Sequence, residues 1–232
     1  MGDVLDKLGP KGPMYQSRNE WEGFYENADP WGYVGRWLLE RRRQEILRHI
    51  FREWGPYERA LDLGSGEGIV TQWLAEHCRE LVSVEISDRA LRRQKEKLRT
   101  DSSLFVHADV FRVSFRPASF DLVCGSEVLS YTKDRAAVAA EWLRWLRPGK
   151  LFFLIETILP GYFTYPELMD LLKGRVEILK VEALSSKHLL AKLANRKLVP
   201  FPERVYDRAM EWTRARPDKL AKHVCVIGRK RA

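Results

Sequence analysis

A glycine-rich turn within residues 60–68 is the first place in this sequence where residue types and spacing suggest chemistry. The stretch reads Ala-Leu-Asp-Leu-Gly-Ser-Gly-Glu-Gly, an apolar run that leads into closely spaced glycines. Glycine permits a tight turn and lets the backbone approach a ligand closely. A dinucleotide fingerprint would need its third glycine at position 69, where the chain has Ile69. Asp62, two residues before Gly64, also suits a site that receives an amino-acid moiety rather than a pyrophosphate.

Carboxylates end the next two apolar runs along the chain. Glu85 closes the run that begins at Leu81, 17 residues after Gly68, and Asp109 follows the third run. In a doubly wound sheet the first of these positions faces a ribose, whose hydroxyls a carboxylate accepts in charge-assisted hydrogen bonds. Asp109 is placed to accept from an adenine amino group, and Val110 to pack against the ring. Each residue alone also fits a turn, a solvated strand end or a helix cap, but their order favours one shared site.

Together these signals resemble the cofactor site of class I methyltransferases that use S-adenosylmethionine (SAM), and the stretch from Asp62 to Gly68 resembles motif I of that family. The resemblance implies SAM as cofactor and S-adenosylhomocysteine as its product. It also implies a set of cofactor-binding residues: Asp62, Gly64, Ser65, Gly66, Gly68, Glu85, Ile86, Asp109, Val110 and Ser126.

The loop after the fourth apolar run resembles that of one particular family among these methyltransferases. Residues 126–131 read Ser-Glu-Val-Leu-Ser-Tyr and look like the corresponding loop of the nodulation-factor N-methyltransferase (NodS) family. The Asp-Pro-Trp of residues 29–31 and the Trp-Leu-Leu-Glu-Arg-Arg-Arg of residues 37–43 are similar to two further blocks of that family, although Leu39 stands where an aromatic residue is usual. The resemblance implies methylation of an N or O atom of a small molecule, such as a sugar or amino-sugar metabolite.

The same loop supplies the catalytic candidates, Glu127 and Tyr131. The SAM sulfonium is already electrophilic, so the protein mainly orients the reactants. An amine acceptor must also lose a proton before it attacks, and the loop after the fourth strand faces the methyl group in this fold. Glu127 is therefore either an acid–base group near the acceptor or a hydrogen-bond acceptor for the cofactor. Tyr131 is either a wall of the pocket or a base.

No metal site is predicted. Glu127 stands alone where metal-dependent catechol-type enzymes have an Asp-rich site, and the five histidines show no ligand spacing. Structural or surface roles are therefore the expectation for every histidine.

An aromatic segment at residues 15–54 precedes the first predicted strand. Trp31, Tyr33 and Trp37 are predicted to form a lid over the mouth of the site, since a cover excludes water and positions the substrate. The end of the segment, residues 47–54, has the spacing of a helix that packs on the sheet.

Short apolar runs that alternate with helical patterns predict an α/β fold. We expect a Rossmann-like, doubly wound sheet of seven strands, mostly parallel with an antiparallel last strand. Residues 1–54 are predicted to form the lid and a helix, and residues 55–232 the SAM-binding domain, with a basic helical insertion at residues 187–222.

Composition agrees with a cytoplasmic enzyme. Hydrophobic residues make up 45% of the 232 and charged ones 31%, a balance typical of globular proteins. We expect no signal peptide and no membrane partner, because neither an h-region nor a long apolar run is present. Cys124 and Cys225 lie in apolar runs and are expected to be buried free thiols.

The insertion carries most of the chain's net charge of +8, with ten basic residues against four acidic ones. We predict that it forms two short helices that shape the small-molecule pocket. The charge leaves an RNA or protein methyltransferase as an alternative function, although nucleic acid is not the favoured partner. A SAM-binding module without catalysis is a second alternative.

Overall fold

The computed structural model describes residues 17–32, 37–98, 102–132, 134–158, 161–187, 189–195 and 197–231. Within them, the strands are β1 (Tyr57–Leu63), β2 (Cys78–Glu85), β3 (Ser103–His107), β4 (Phe120–Ser126), β5 (Leu146–Thr157), β6 (Val176–Ser186) and β7 (Ala221–Lys230). These seven described strands form one sheet in the order β3-β2-β1-β4-β5-β7-β6. β1 to β5 are parallel, and β7 runs antiparallel to both of its neighbours. The predicted fold class is confirmed.

Helices connect these strands. They are α1 (Arg18–Phe24), α2 (Trp37–Trp54), α3 (Ile69–Ala75), α4 (Asp88–Lys97), α5 (Arg135–Trp145), α6 (Tyr165–Leu172), α7 (Leu189–Asn195), α8 (Pro202–Ala215) and α9 (Pro217–Leu220). Side chains cap several of them, as at α4, where the Ser87 hydroxyl accepts from the backbone N–H of Ala90. The described part of the insertion therefore holds three helices rather than the two that we predicted.

The two faces of the sheet are both buried, which explains why the strands read as continuous apolar runs. Along β5, Phe152 and Leu154 belong to one core, whereas Phe153 and Ile155 belong to the other. This split follows from the two-residue period of a strand. α5, α6 and the insertion cover the first face, and α2 and α3 cover the second. The buried apolar side chains of α2 thus pack in the same core as the second face of the sheet.

The order of the strands reverses at β1, whose neighbours are β2 on one side and β4 on the other. In open α/β sheets, ligands bind at the carboxyl ends of the strands where the order reverses. The residues that end β1, β2 and β4 therefore converge on one crevice.

A register shift disturbs β6 close to the same edge. Ala183 pairs with Val224 and Ser185 with His223, so the pairing slips by one residue between them. An extra residue of this kind bends a strand and redirects its side chains. Here it brings Ser185 opposite His223.

None of the helices within the described residues is long and apolar enough to cross a membrane. Cys124 and Cys225 are buried free thiols, as predicted, and Cys78 is half-buried.

Gly125 in β4 gives a test of this packing. A Cβ atom at Gly125 would lie 2.8 Å from Trp142 Cζ3, so Gly125→Ala overpacks the junction between β4 and α5. We expect the free energy of unfolding to fall by about 1–3 kcal/mol in urea denaturation. Gly23→Ala in α1 is the control, because nothing lies within 4 Å of its added Cβ. Equal stability of the two variants would contradict the packing described here.

Candidate active site

A large cavity opens at the carboxyl ends of β1, β2 and β4. It encloses about 1010 Å³ including its open mouth, and apolar atoms dominate its walls. Its lining includes the acidic side chains of Asp62, Glu85, Asp109 and Glu127. A cavity of this size suits a drug-sized ligand held by a few polar groups.

The glycine-rich turn forms the floor of the cavity at residues 64–66. Gly64 has a φ of +66°, and a Cβ atom there would lie 2.6 Å from Val128 Cγ2. Gly66 has a φ of +55°, and its Cβ atom would lie 2.9 Å from the Tyr25 hydroxyl oxygen. Only glycine adopts this conformation without strain and lets the neighbouring side chains approach so closely. The third predicted glycine, Gly68, precedes α3 and does not line the cavity.

A buried polar network fixes the turn from below. The Thr71 hydroxyl donates to Asp62 Oδ2 at 2.6 Å, and Gln94 Nε2 donates to the Thr71 hydroxyl at 2.5 Å. Ser83 donates to the Ser65 hydroxyl at 2.8 Å. Burial raises the pKa of Asp62 to about 6, while its hydrogen bond from Thr71 opposes that rise. Satisfied networks of this kind hold a loop in one conformation.

Glu85 ends β2 with its carboxylate beneath the turn. Its Oε2 accepts from the backbone N–H of Gly66 at 2.8 Å, and its Oε1 accepts from the N–H of Ser87 at 2.9 Å. Burial raises the pKa of Glu85 to about 7, and these backbone bonds oppose the rise. Each carboxylate oxygen keeps a lone pair for a further donor. Glu85 is therefore equipped to accept both hydroxyls of a ribose.

Asp109 and Val110 lie on the far wall, after β3. Asp109 Oδ1 accepts from the backbone N–H of Phe111 at 2.9 Å, and its Oδ2 lies 3.5 Å from Arg112 Nε. Val110 and Ile86 present apolar surface to the same part of the cavity. These groups suit a flat ring with an exocyclic amine, the part of SAM that adenine supplies.

The loop after β4 is held by a buried carboxylate that the sequence analysis missed. Glu156 Oε1 accepts from the backbone N–H groups of Val128 and Leu129, at 3.1 and 2.8 Å. The backbone N–H of Glu127 donates to the carbonyl of Ile155 at 2.7 Å. Glu127 itself has a φ of +60°, an uncommon conformation for a residue with a side chain. These bonds hold it there, with its side chain in the cavity wall.

His223 lies behind Glu127, at the start of β7. Its Nε2 is 3.8 Å from Glu127 Oε1, and its Nδ1 is 2.5 Å from the Ser185 hydroxyl oxygen. The residue is only 4% exposed. Our expectation of a structural or surface role for every histidine did not anticipate this contact, because 96 residues separate His223 from Glu127 in the sequence.

Aromatic side chains of the N-terminal segment form one wall of the cavity. Trp21 meets Tyr131 edge to face with 5.0 Å between ring centroids, and Trp31 lies 4.6 Å from Phe24. Trp31 Nε1 also donates to the Tyr25 hydroxyl at 3.1 Å. Such pairs stabilise a rigid apolar surface.

Ionic contacts attach this segment to the cofactor side of the site. Glu22 Oε1 accepts from the backbone N–H of Asp88 at 2.5 Å, at the first turn of α4. Arg93 donates to Glu67 Oε1 at 2.8 Å and to the Glu26 carbonyl at 3.0 Å. The segment is therefore anchored to the residues that follow β1 and β2.

Most of the predicted site residues line this one cavity. They are Trp31, Asp62, Gly64, Ser65, Gly66, Glu85, Ile86, Asp109, Val110, Ser126, Glu127 and Tyr131. Tyr33 lies outside the described residues, and so does the side chain of Trp37. Several further residues line the cavity and were not predicted from the sequence: Trp21, Tyr25, Ile69, Val70, Phe111 and Val128. The density of aromatics before β1 was the signal that could have found Trp21 and Tyr25.

The insertion is absent from the cavity wall as far as the structure describes it. Our prediction that the insertion shapes the small-molecule pocket therefore stays a prediction. The insertion packs behind the site, where the Thr213 hydroxyl donates to the Ser186 hydroxyl at 2.6 Å and Tyr206 donates to the Leu184 carbonyl at 3.3 Å. Across the described chain, no three His, Cys, Asp or Glu side chains converge as a metal site would require.

Residues 61–154 match the family model described as a methyltransferase domain. The match covers less than half of the chain, and over that span the chain is similar to a methyltransferase domain. The matched span of this domain begins within β1 and ends within β5, so it contains the turn, Glu85, Asp109 and the loop of Glu127.

Proteins named nodulation protein S are among the relatives to which this chain is similar. The protein from Sinorhizobium fredii (strain NBRC 101917 / NGR234) is 32% identical over 111 residues, 47% of this chain and 50% of that protein. The one from Rhizobium tropici is 31% identical over 125 residues, 52% of each. The chain thus spans about half the length of the curated relatives that it matches.

A solved structure shares the fold of the whole chain. The crystal structure of the N-methyltransferase NodS from Bradyrhizobium japonicum WM9, in complex with S-adenosyl-L-homocysteine, superposes with a TM-score of 0.68 at 18% identity. The superposition covers 99% of each chain. The region beyond residue 185, which includes the insertion, thus belongs to the superposed fold.

Replacement of Glu156 tests the electrostatics of the loop. Burial raises the pKa of Glu156 to about 8 from an ordinary 4.5, so the folded state favours the protonated acid. The stability that this group contributes is present below pH 4.5 and is lost as the pH rises towards 8. Glu156→Gln keeps an acceptor for the loop and cannot ionise. Its unfolding free energy should match wild type at low pH and exceed it by at least about 1 kcal/mol above the raised pKa.

The control for this measurement is Glu177→Gln in β6, whose side chain is 57% exposed. The difference in unfolding free energy between Glu177→Gln and wild type should be the same at every pH. A constant difference between Glu156→Gln and wild type at every pH would mean that Glu156 does not titrate as described.

Proposed function

We propose that this protein transfers the methyl group of SAM to an N or O atom of a small-molecule acceptor, with an amino-sugar metabolite as the leading class. The observation that carries the proposal is that two acidic residues, Glu85 and Glu127, line different parts of one cavity. Glu85 lies beneath the glycine turn, where it suits a ribose, and Glu127 lies across the cavity beside the aromatic wall. An N atom as acceptor is supported by the similarity of the chain to nodulation protein S and by the fold that it shares with the N-methyltransferase NodS.

The residues present fit the ribose and the adenine of SAM. The glycine turn lines the floor, Glu85 has lone pairs for the ribose, and Asp109 with Val110 and Ile86 suits adenine. When bound, SAM supplies an electrophilic methyl group on a sulfonium. The aromatic wall of Trp21, Trp31 and Tyr131 excludes water and holds the acceptor in line with that methyl group. Glu127 accepts the acceptor's proton.

RNA methylation remains the weaker candidate. Several basic side chains of the insertion already pair with acids: Arg208 lies 3.1 Å from Glu211, and Arg214 lies 3.9 Å from Glu182. Such pairs reduce the charge that a phosphate backbone would meet. No described residue of the insertion lines the cavity, and so none is positioned to present a base to it.

Glu85→Ala tests the cofactor site. We expect SAM affinity in calorimetry to fall by about ten- to hundredfold, equivalent to about 1.4–2.8 kcal/mol, because the ribose loses its charged acceptor. Wild-type affinity should also rise as the pH increases through the Glu85 pKa of about 7, and the variant should lack this dependence.

Glu80→Ala provides the control on the same strand, since the Glu80 side chain is 62% exposed and far from the cavity. It should bind SAM as wild type does. Unchanged affinity in a folded Glu85→Ala variant would remove the assignment of the ribose site.

Trp31→Ala tests the aromatic wall. Trp31 contacts Phe24 and Tyr25 rather than the glycine floor, so SAM affinity should stay within about threefold, an energy below about 1 kcal/mol. Methyl transfer to a panel of amino sugars, followed with labelled SAM, should drop by at least about tenfold, because the acceptor is poorly held. Trp212→Ala removes an exposed tryptophan of α8 and should change neither quantity. If turnover survives in Trp31→Ala, the segment has only a packing role.

A further inference from the structure

His223 stands at the edge of the sheet that carries the active site, although it comes from the other end of the chain. β7 is antiparallel to β5, so its first residues lie beside the carboxyl end of β5, where His223 pairs with Thr157. The imidazole is buried and does not itself line the cavity, whereas Glu127 does, and Glu127 Oε1 lies 3.8 Å from His223 Nε2. This separation suits an ion pair and is too long for a direct hydrogen bond. A small rotation of Glu127 or one bridging water closes it.

Ser185 holds the other side of the ring. The bulge in β6 sets Ser185 opposite His223, with 2.5 Å between its hydroxyl oxygen and Nδ1. A hydroxyl can either donate to a ring nitrogen or accept from it. Ser185 therefore supports the imidazole in its neutral and in its protonated form. The next residue, Ser186, is held by Thr213 of α8, so the insertion supports this arrangement from behind.

Within the described part of the chain, Glu127 is the acidic side chain that lies within ion-pair distance of His223. Glu156, on β5, is buried with its pKa raised to about 8, and its Oε1 is occupied by loop N–H groups. Lys222 precedes His223 on β7, and the alternation of a strand directs consecutive side chains to opposite faces. Lys187 follows β6, and burial together with Lys222 lowers its pKa.

From this geometry we propose that His223 is a positioning residue that receives the acceptor's proton by way of Glu127. The proposal rests on the methyltransferase function. In the transfer, the acceptor nitrogen forms a bond to the methyl carbon while the carbon–sulfur bond breaks and its electron pair stays on sulfur. The N–H proton passes to the Glu127 carboxylate and then to His223 Nε2, and Ser185 accepts from the Nδ1–H of the resulting imidazolium. Glu127 is thereby restored as a base, and the imidazolium passes its proton back through Glu127 to water once the products have left.

The first test needs no acceptor. Histidines of the full-length protein are labelled with nitrogen-15 and followed by NMR with saturating S-adenosylhomocysteine, and the His223 signal is the one missing from His223→Gln. We expect Glu127→Gln to lower the titration midpoint of His223 by at least about half a pH unit, because an opposite charge within about 4–6 Å favours the imidazolium. His49→Gln identifies the signal of His49, a histidine that pairs with Glu53 on the exposed surface of α2 and should not respond to Glu127→Gln. A His223 signal that ignores Glu127→Gln overturns the proposal.

The second test uses glucosamine as the acceptor probe. His223→Gln should lower kcat by about tenfold or more while KM and SAM affinity stay within about threefold, since general acid–base assistance is worth at least that much. Raising the pH should restore part of the rate, because hydroxide replaces the proton acceptor. Ser185→Ala keeps the imidazole and should give a smaller loss, which covers the case in which His223→Gln folds poorly. Equal kcat in wild type and both variants, at every pH, would also overturn the proposal.

The two tests distinguish a failure of the His223 proposal from a failure of the proposed methyl transfer on which it rests. If wild type transfers no methyl group to any amino sugar, the proposed acceptor class fails, yet the NMR titration still decides whether Glu127 and His223 are coupled. If wild type is active and the coupling is absent, only the role of His223 fails.

Discussion

Between β1 and β4, the connections of the sheet diverge, so the carboxyl ends of two neighbouring strands open into a crevice. The floor of the site and its two facing sides follow from this reversal. The turn after β1 forms the floor, Glu85 at the end of β2 reaches under that turn, and the loop after β4 forms the opposite wall. A ligand that spans the crevice must contact both halves of the sheet.

Three buried carboxylates stabilise the backbone at this edge, at an energetic cost. Asp62, Glu85 and Glu156 each accept hydrogen bonds from the segments that they hold, and burial raises the pKa of each. An acid taken out of water is destabilised in its charged form, and these hydrogen bonds offset part of that penalty. Their burial therefore couples the shape of the site to pH.

Two parts of the chain outside the matched domain complete the site from opposite sides. The N-terminal segment brings Trp21 and Trp31 to the wall beside Tyr131, and β7 brings His223 behind Glu127. The insertion lies behind β6 and supports Ser186 through Thr213. Its basic residues are thus attached to helices whose buried faces stabilise the back of the site.

The pattern of residues along the chain was enough to predict the sheet and the acidic residues near the ends of its strands. Parallel strands buried on both faces leave continuous apolar runs, and the residue that ends each run must lie at one edge, so the sequence alone identified Asp62, Glu85 and Asp109. Tertiary structure alone brought His223, Ser185 and Glu156 to that edge. Each is a common residue type with no local signature. Glu156 bonds to the Glu127 loop, His223 lies beside Glu127, and Ser185 holds His223, so three later strands support the loop after β4. Such contacts depend on strand order and on a one-residue bulge in β6, which the spacing of residues in a single sequence does not encode.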